Sequence, residues 1–211
     1  MTITYDDFAR LNLRTAAVTG SGPSGIELDL GGQTRTTSTD LAVEAGRQVV
    51  VIANLEPADA TPEAQAAAAN IAAAWSRVEL RIANVLECKP HPNADKLLVL
   101  QIELGEERRQ ICAGLRAFYQ PEQLAGRQIV VVANLDARKM RGEISQGMLL
   151  AATDAASDPA NPRVIVIGPS QPVASGTRLR AYGCILATLA DTAPPVLIAP
   201  AEAVAPGSVV K

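Results

Sequence analysis

The residues of this chain best suited to chemistry are cations without catalytic partners. Arg138-Lys139-Met140-Arg141 puts three positive side chains in four positions, and Lys89, Lys96, Arg108 and Arg109 form smaller groups upstream. Clustered cations bind phosphates, displacing a counterion with each contact. His91 is the only histidine in 211 residues, which removes multi-histidine metal cages and paired-histidine active sites. No acid–base pair, phosphate-cradling glycine loop or metal-ligand spacing is visible, so no catalytic residue, metal or cofactor is expected. Cys88, Cys112 and Cys184 are too few and too scattered for a disulfide framework. Cys112 lacks a histidine or charged partner and reads as a buried thiol.

The cations are local. Residues 77–148 hold eleven Lys and Arg against nine Asp and Glu; the remainder holds eight against thirteen, so a +2 stretch sits in a chain of net charge −3. That excludes a protein coated in basic charge and predicts modest affinity for a polyanion. Apolar residues at 48% and charged residues at 19% describe a folded chain. Aromatics at 3% make base stacking no more than a local device. The first residues lack a basic region followed by an apolar run, and no stretch reaches the roughly 18 apolar residues of a membrane span. A reducing cytoplasm is the expected location, with no membrane partner.

An internal repeat organises the elements that must position these cations. Gly46-Arg47-Gln48-Val49-Val50-Val51-Ile52-Ala53-Asn54-Leu55 returns as Gly126-Arg127-Gln128-Ile129-Val130-Val131-Val132-Ala133-Asn134-Leu135. Leu11–Arg14 parallels Val78–Arg81, and Glu27–Gly31 parallels Gln101–Gly105. The rear of the unit recurs out of tandem order: Gly147–Thr153 is echoed by Gly183–Leu189, and Val173–Arg180 by Val204–Lys211. The order is front of the first repeat, all of the second, back of the first. The expected organisation is therefore residues 1–56 plus 181–211 as one repeat, 57–75 as a linker helix, and 76–180 as a second repeat inserted into the first at a loop.

The second repeat reads as five strands at 78–88, 97–104, 110–113, 128–134 and 148–152, with Gly105-Glu106-Glu107 as a turn and a helix over 115–124. Five strands with a helix between the third and fourth is the order of an OB-fold barrel. The fold class expected is mainly β: two five-stranded Greek-key OB barrels with short helices, one inserted in the other and packed as a pseudo-dimer. In such a barrel the 1–2 loop, carrying Lys89 and Lys96, and the 4–5 loop, carrying Arg138, Lys139 and Arg141, flank one groove, with Arg108 and Arg109 at the start of the third strand. Pro90, Pro92 and Asp95 stiffen the first loop. In the linker, Thr61 and Pro62 open the helix, and Ile71 and Trp75 share a face suited to docking between repeats. Phe118 and Tyr119 are adjacent and cannot both face one way.

His91-Pro92-Asn93-Ala94-Asp95-Lys96-Leu97, Gln110–Leu115, Ala133-Asn134-Leu135, Lys139-Met140-Arg141-Gly142 and Ser145-Gln146-Gly147-Met148 resemble the tRNA-binding OB domain. That domain occurs at the C-terminus of many bacterial methionyl-tRNA synthetases, in free-standing bacterial tRNA-binding proteins and in the endothelial monocyte-activating polypeptide group. The resemblance implies sequence-tolerant, non-catalytic binding of folded tRNA, in the service of an aminoacyl-tRNA synthetase in trans. It implies phosphate contacts from Lys89, Lys96, Arg109, Arg138, Lys139 and Arg141, places Ser145 and Met148 in the RNA-contacting motif, and implies homodimers. A branch of the same fold family, the peptide-binding export chaperones, gives the alternative function. The first repeat resembles the family through residues 3–9, Leu13-Arg14 and its ending 206–211, but its 1–2 loop, Thr19–Gly25, is uncharged. It is expected to be a structural half, leaving the second repeat as the binding half.

Overall fold

The computed structural model describes residues 1–55, 61–189 and 194–211. Helix α1 (Tyr5–Ala9) is opened by a capping box: the Thr4 hydroxyl accepts from the Asp7 amide, and the Asp7 carboxylate accepts from the Thr4 amide. Strands β1 (Leu13–Gly22), β2 (Gly25–Asp29), β3 (Thr34–Thr37) and β4 (Gln48–Ile52) follow, then helix α2 (Pro62–Trp75). The series then returns as β5 (Leu80–Pro90), β6 (Leu98–Leu104), β7 (Glu107–Ala113), the one-turn helix α3 (Pro121–Leu124) and β8 (Gln128–Val132). A separate hairpin, β9 (Arg138–Met140) and β10 (Glu143–Ser145), precedes β11 (Met148–Leu149). The sheet order β11-β8-β5-β6-β7 is antiparallel throughout.

The expected helix over 115–124 shrinks to Pro121–Leu124, because a residue before proline is held extended: Gln120 has φ −78° and ψ 147°. The strand expected over 148–152 divides into β11 and a second short strand, and β5 runs two residues further than expected, to Pro90. Positions 57–60 of the expected linker helix lie outside the described residues.

Strand pairing recurs residue for residue between the two series. Leu13 faces Ile52 as Leu80 faces Val132, and Val18 faces Leu28 as Val85 faces Ile102. A bulge follows at matching places, between Val18 and Gly20 and between Val85 and Glu87. Each bulge increases the local twist, so both long first strands curl at the same point.

Beyond β11 the two series interlock. The chain continues as β12 (Ala151–Thr153), β13 (Val164–Pro169), β14 (Leu179–Tyr182), β15 (Ile185–Thr188), β16 (Ile198–Pro200) and β17 (Val209–Val210). Ile185 faces Val51 as Leu149 faces Val131. Strand β17 pairs with both β1 and β12. Strands β13 and β16 pair so that Ile167 faces Pro200 and Pro169 faces Ile198. The flanking bonds are reciprocal: the Ala201 amide donates to the Val166 carbonyl at 3.0 Å and the Ser170 amide to the Leu197 carbonyl at 2.8 Å.

Three apolar clusters result. One lies within residues 16–51 plus 182–187 and a second within 83–166. The third draws Leu13, Val50 and Ile52 together with Leu80, Val130, Val132, Ile167 and Ile198. Strands β4 and β8 are thus buried on both faces: Val49, Val51, Ile129 and Val131 face their own cluster, while Val50, Ile52, Val130 and Val132 face the shared one. This explains why the duplicated decapeptide is apolar without alternation. Trp75, Ile71 and Ala74 of α2 pack against the shared cluster, the docking face expected of that helix. Among the described residues no helix is long and apolar enough to cross a membrane.

Candidate nucleic-acid interface

The cationic motif forms the β9–β10 hairpin. Lys139 faces Ile144 and Arg138 faces Ser145, which leaves Arg141-Gly142 as a two-residue loop. Both loop residues have positive φ, 51° and 109°, as a type I′ hairpin turn requires. Arg141 is the one non-glycine with positive φ among the described residues. A left-handed arginine is costly, and such strain persists where the surroundings hold it.

The 1–2 loop holds it. His91 is 2% exposed. Its Nδ1 accepts from the Asn93 amide at 3.0 Å, so the ring proton sits on Nε2 and is donated to the Met140 carbonyl at 2.9 Å. The Asn93 side-chain amide donates to the Arg141 carbonyl at 3.3 Å. On the other side Gln110 donates to Glu143 at 2.9 Å and to the Ile144 carbonyl at 3.0 Å, while accepting from Gln101 at 2.8 Å. Two loops far apart along the chain are thereby joined over the outer face of β6 and β7.

The positions of the individual cations differ. Arg138, Lys139 and Arg141 are exposed, and none makes an ion pair among the described residues. Lys96 is exposed in the 1–2 loop. Lys89 lies 2.7 Å from Glu87 and is still largely exposed. A shallow groove of about 230 Å³ runs between Lys89 and the hairpin, lined also by Gln101, Gln110, Glu87 and Glu143. Its two carboxylates oppose a polyanion locally, in keeping with the modest net charge of the region.

Of the other positions singled out by the sequence, Arg109, Ser145 and Met148 make folding contacts. Arg108 is opposite Glu103 in the β6–β7 ladder and is exposed. The Arg109 guanidinium is held by Glu107, with Nε 2.9 Å from the carboxylate, and donates to the Ala133 carbonyl. The bonds from Arg109, and the nearby Arg81, hold the Glu107 carboxyl below the usual carboxylate range. Ser145 is buried; its hydroxyl accepts from the Cys112 amide at 2.9 Å and donates to the Gly147 carbonyl at 3.0 Å. Met148 is half-buried against the shared cluster. Asn134 accepts from the Glu79 amide and donates to the Arg77 carbonyl, as Asn54 does with Asn12 and Arg10.

The thiols are unreactive by environment. Burial, with a smaller push from Glu122, raises Cys88 to about 11; burial, then Glu143, raises Cys112 as well. Sequence reasoning missed His91 as a latch, although its confinement to the second repeat was a signal. It also left Phe118 and Tyr5 unassigned, and both prove exposed.

Residues 80–178 match a family model described as a putative tRNA binding domain. The methionine–tRNA ligase of Thermococcus kodakarensis is 43% identical over 106 residues, 50% of this chain and 14% of that protein. The methionine–tRNA ligase of Deinococcus radiodurans is 39% identical over 144 residues, 65% of this chain and 20% of that protein. This chain therefore spans a fifth or less of the length of these two relatives. The C-terminal domain of Plasmodium vivax p43 superposes with a TM-score of 0.51 at 21% identity, covering 64% of this chain and 97% of that one, a likeness of fold.

Proposed function

We propose that this chain, whose residues 80–178 match the putative tRNA binding domain, binds folded tRNA without catalysing a reaction on it. The observation that supports the proposal is the pair of bonds from His91 and Asn93 to the Met140 and Arg141 carbonyls, which joins the loop carrying Lys89 and Lys96 to the hairpin carrying Arg138, Lys139 and Arg141. Recognition is of backbone and shape, as suits a folded RNA approached by cations with few aromatic partners. Among the proposed contacts, Arg108 is exposed and adds to the cations available to the RNA, while Arg109 and Ser145 also support the face through their folding contacts. Similarity to methionine–tRNA ligases supports a role beside an aminoacyl-tRNA synthetase in trans. The three free buried cysteines suit a reducing cytoplasm.

In this reading the chain is two OB-type barrels packed as a pseudo-dimer. Residues 1–56 plus 181–211 form one, and 76–180 form the other, inserted where the first would carry its 4–5 loop. The recurring registers, the reciprocal β13–β16 bonds and the shared apolar cluster support it.

A salt titration with unfractionated tRNA tests the function. The wild-type protein is expected to bind at low salt, with log affinity falling linearly against log salt. Replacing Arg138, Lys139 and Arg141 together by Ala should weaken binding at least tenfold and flatten the slope by about 0.7–0.9 for each phosphate no longer neutralised. Undetectable binding at low salt, or an unchanged triple variant, would sink the proposal. The alternative, a peptide-binding export chaperone, would show clients that survive ribonuclease in a lysate pull-down.

A further inference from the structure

A second, larger groove of about 620 Å³ is lined on the hairpin by Arg138, Met140 and Ser145. It falls within the roughly 300–1,000 Å³ of small-molecule sites. Its walls are mostly apolar and include Met140, Met148 and two aromatics, Phe118 and Tyr5. Those rings are 37% and 49% exposed, whereas Tyr119, next to Phe118, is buried with its hydroxyl accepting from the Val166 amide. Arg138 and Lys211 stand at the rim, together with one acid, Asp136.

Tyr5 is not a loose end at this site. The Ile3 amide donates to the Asn134 carbonyl at 2.8 Å, and the Asp136 amide donates to the Ile3 carbonyl at 2.9 Å. These bonds and the Thr4–Asp7 cap fix the start of α1 against the segment that leads into the hairpin. Residues near β17 supply Lys211 to the same groove. The groove is therefore built from segments distant in sequence, and its cationic rim continues into the hairpin that carries Lys139 and Arg141.

Resting on the tRNA-binding reading, we infer that this groove receives an unstacked nucleobase of the bound RNA, packed against Phe118 and Tyr5 while Arg138 and Lys211 take the flanking phosphates. Charge complementarity selects this occupant over a purely apolar one, because two cations beside exposed aromatic rings in one groove match the two chemistries of a nucleotide. Aromatic faces accept any base, so the site adds affinity without demanding sequence. It also requires an RNA with a base free to leave its stack, as loops and ends provide.

The test uses the whole chain and three probes: a short single-stranded RNA carrying a fluorescent purine, an RNA duplex of matched charge, and a peptide alternating Leu and Lys. Replacing Tyr5 and Phe118 together by Ala should weaken single-strand binding about tenfold and abolish quenching of the purine, with duplex binding unchanged. Phe118→Trp should retain both the affinity and the quenching, since it keeps a stacking face. The Arg138, Lys139 and Arg141 triple variant should weaken both RNAs. If the aromatic pair can be removed without loss of single-strand affinity, or if the peptide binds through Phe118 and single-stranded RNA fails to displace it, the groove assignment is wrong and the tRNA reading stands. If the triple variant binds both RNAs as the wild type does, the tRNA reading itself fails.

Discussion

His91 shows how a single residue can do indirect work at the proposed binding face. Its ring is buried and spends both nitrogens joining the 1–2 loop to the carbonyl before Arg141. Truncation to Ala strands a buried carbonyl and an amide, a loss of about 1–3 kcal/mol. The hairpin is then without the bond that secures its left-handed arginine. His91→Ala should keep the fold, as judged by an unchanged circular dichroism spectrum, yet lower tRNA affinity several-fold with the salt slope intact, since no cation has been removed. A variant that binds as well as the wild type would show that the hairpin holds its turn unaided. Arg109 teaches the converse. It aligns with Arg35 of the first repeat, and the two donate to equivalent carbonyls, of Ala133 and Ala53. The first repeat has no charged 1–2 loop, so an arginine present in both repeats was legible as a folding residue. Arg138, Lys139 and Arg141 have no such counterpart. Used as an internal control, the duplication separates the residues proposed to bind RNA from those that serve both series of strands.

The elements were legible to the extent that their signals were local. The alternation of Leu98, Leu100, Ile102 and Leu104 gave β6, and the unbroken apolar decapeptides gave β4 and β8, buried on both faces. The helix after β7 is shorter than its run of helix-compatible residues suggests, because Pro121 imposes a stop on the residue before it. The β9–β10 hairpin reads as a bare loop in sequence, since no alternation survives in strands of three residues. What sequence could not supply was the meeting of distant elements. The turn between β6 and β7 touches the segment before β14 through two glycines: a Cβ on Gly176, at φ 83°, would come within 2.8 Å of the Gly105 Cα. Gly207 meets Gly31 in the same way at the corresponding place. Gly176→Ala combines a left-handed backbone with a backbone clash, so a loss of about 1–3 kcal/mol is expected in denaturant unfolding. Gly46→Ala is the control: it has a similar φ of 87° but nothing within 4 Å of its Cβ, so it should cost less. Equal losses in the two variants would mean that the close approach contributes nothing.

At the scale of the molecule, closure depends on its last segment. Strand β17 pairs with β1 on one side and β12 on the other, so one short strand joins the sheet begun near residue 13 to the sheet edge near residue 152. Asp154 holds this segment in place: its carboxylate accepts from the Ala205 amide at 2.9 Å, the Ala156 amide at 3.1 Å and Arg163 at 3.1 Å. The Ala205 bond, then the Ala156 bond and Arg163, lower its pKa below the ordinary value of 3.8. The folded state thus binds the Asp154 proton less readily than the unfolded chain does. The stability this contributes is complete above the unfolded value and is lost as pH falls through the depressed folded value. Asp154→Asn should therefore be less stable than the wild type at about pH 6, and the difference should shrink towards about pH 3. Since the shared cluster couples both series of strands, the loss should appear as one transition. Fluorescence of Trp75, which packs on that cluster, and far-ultraviolet circular dichroism, which follows all the strands, should give coincident denaturant midpoints at both pH values. Separate midpoints would mean that the two repeats unfold as independent beads, and the pseudo-dimer reading would fall with them.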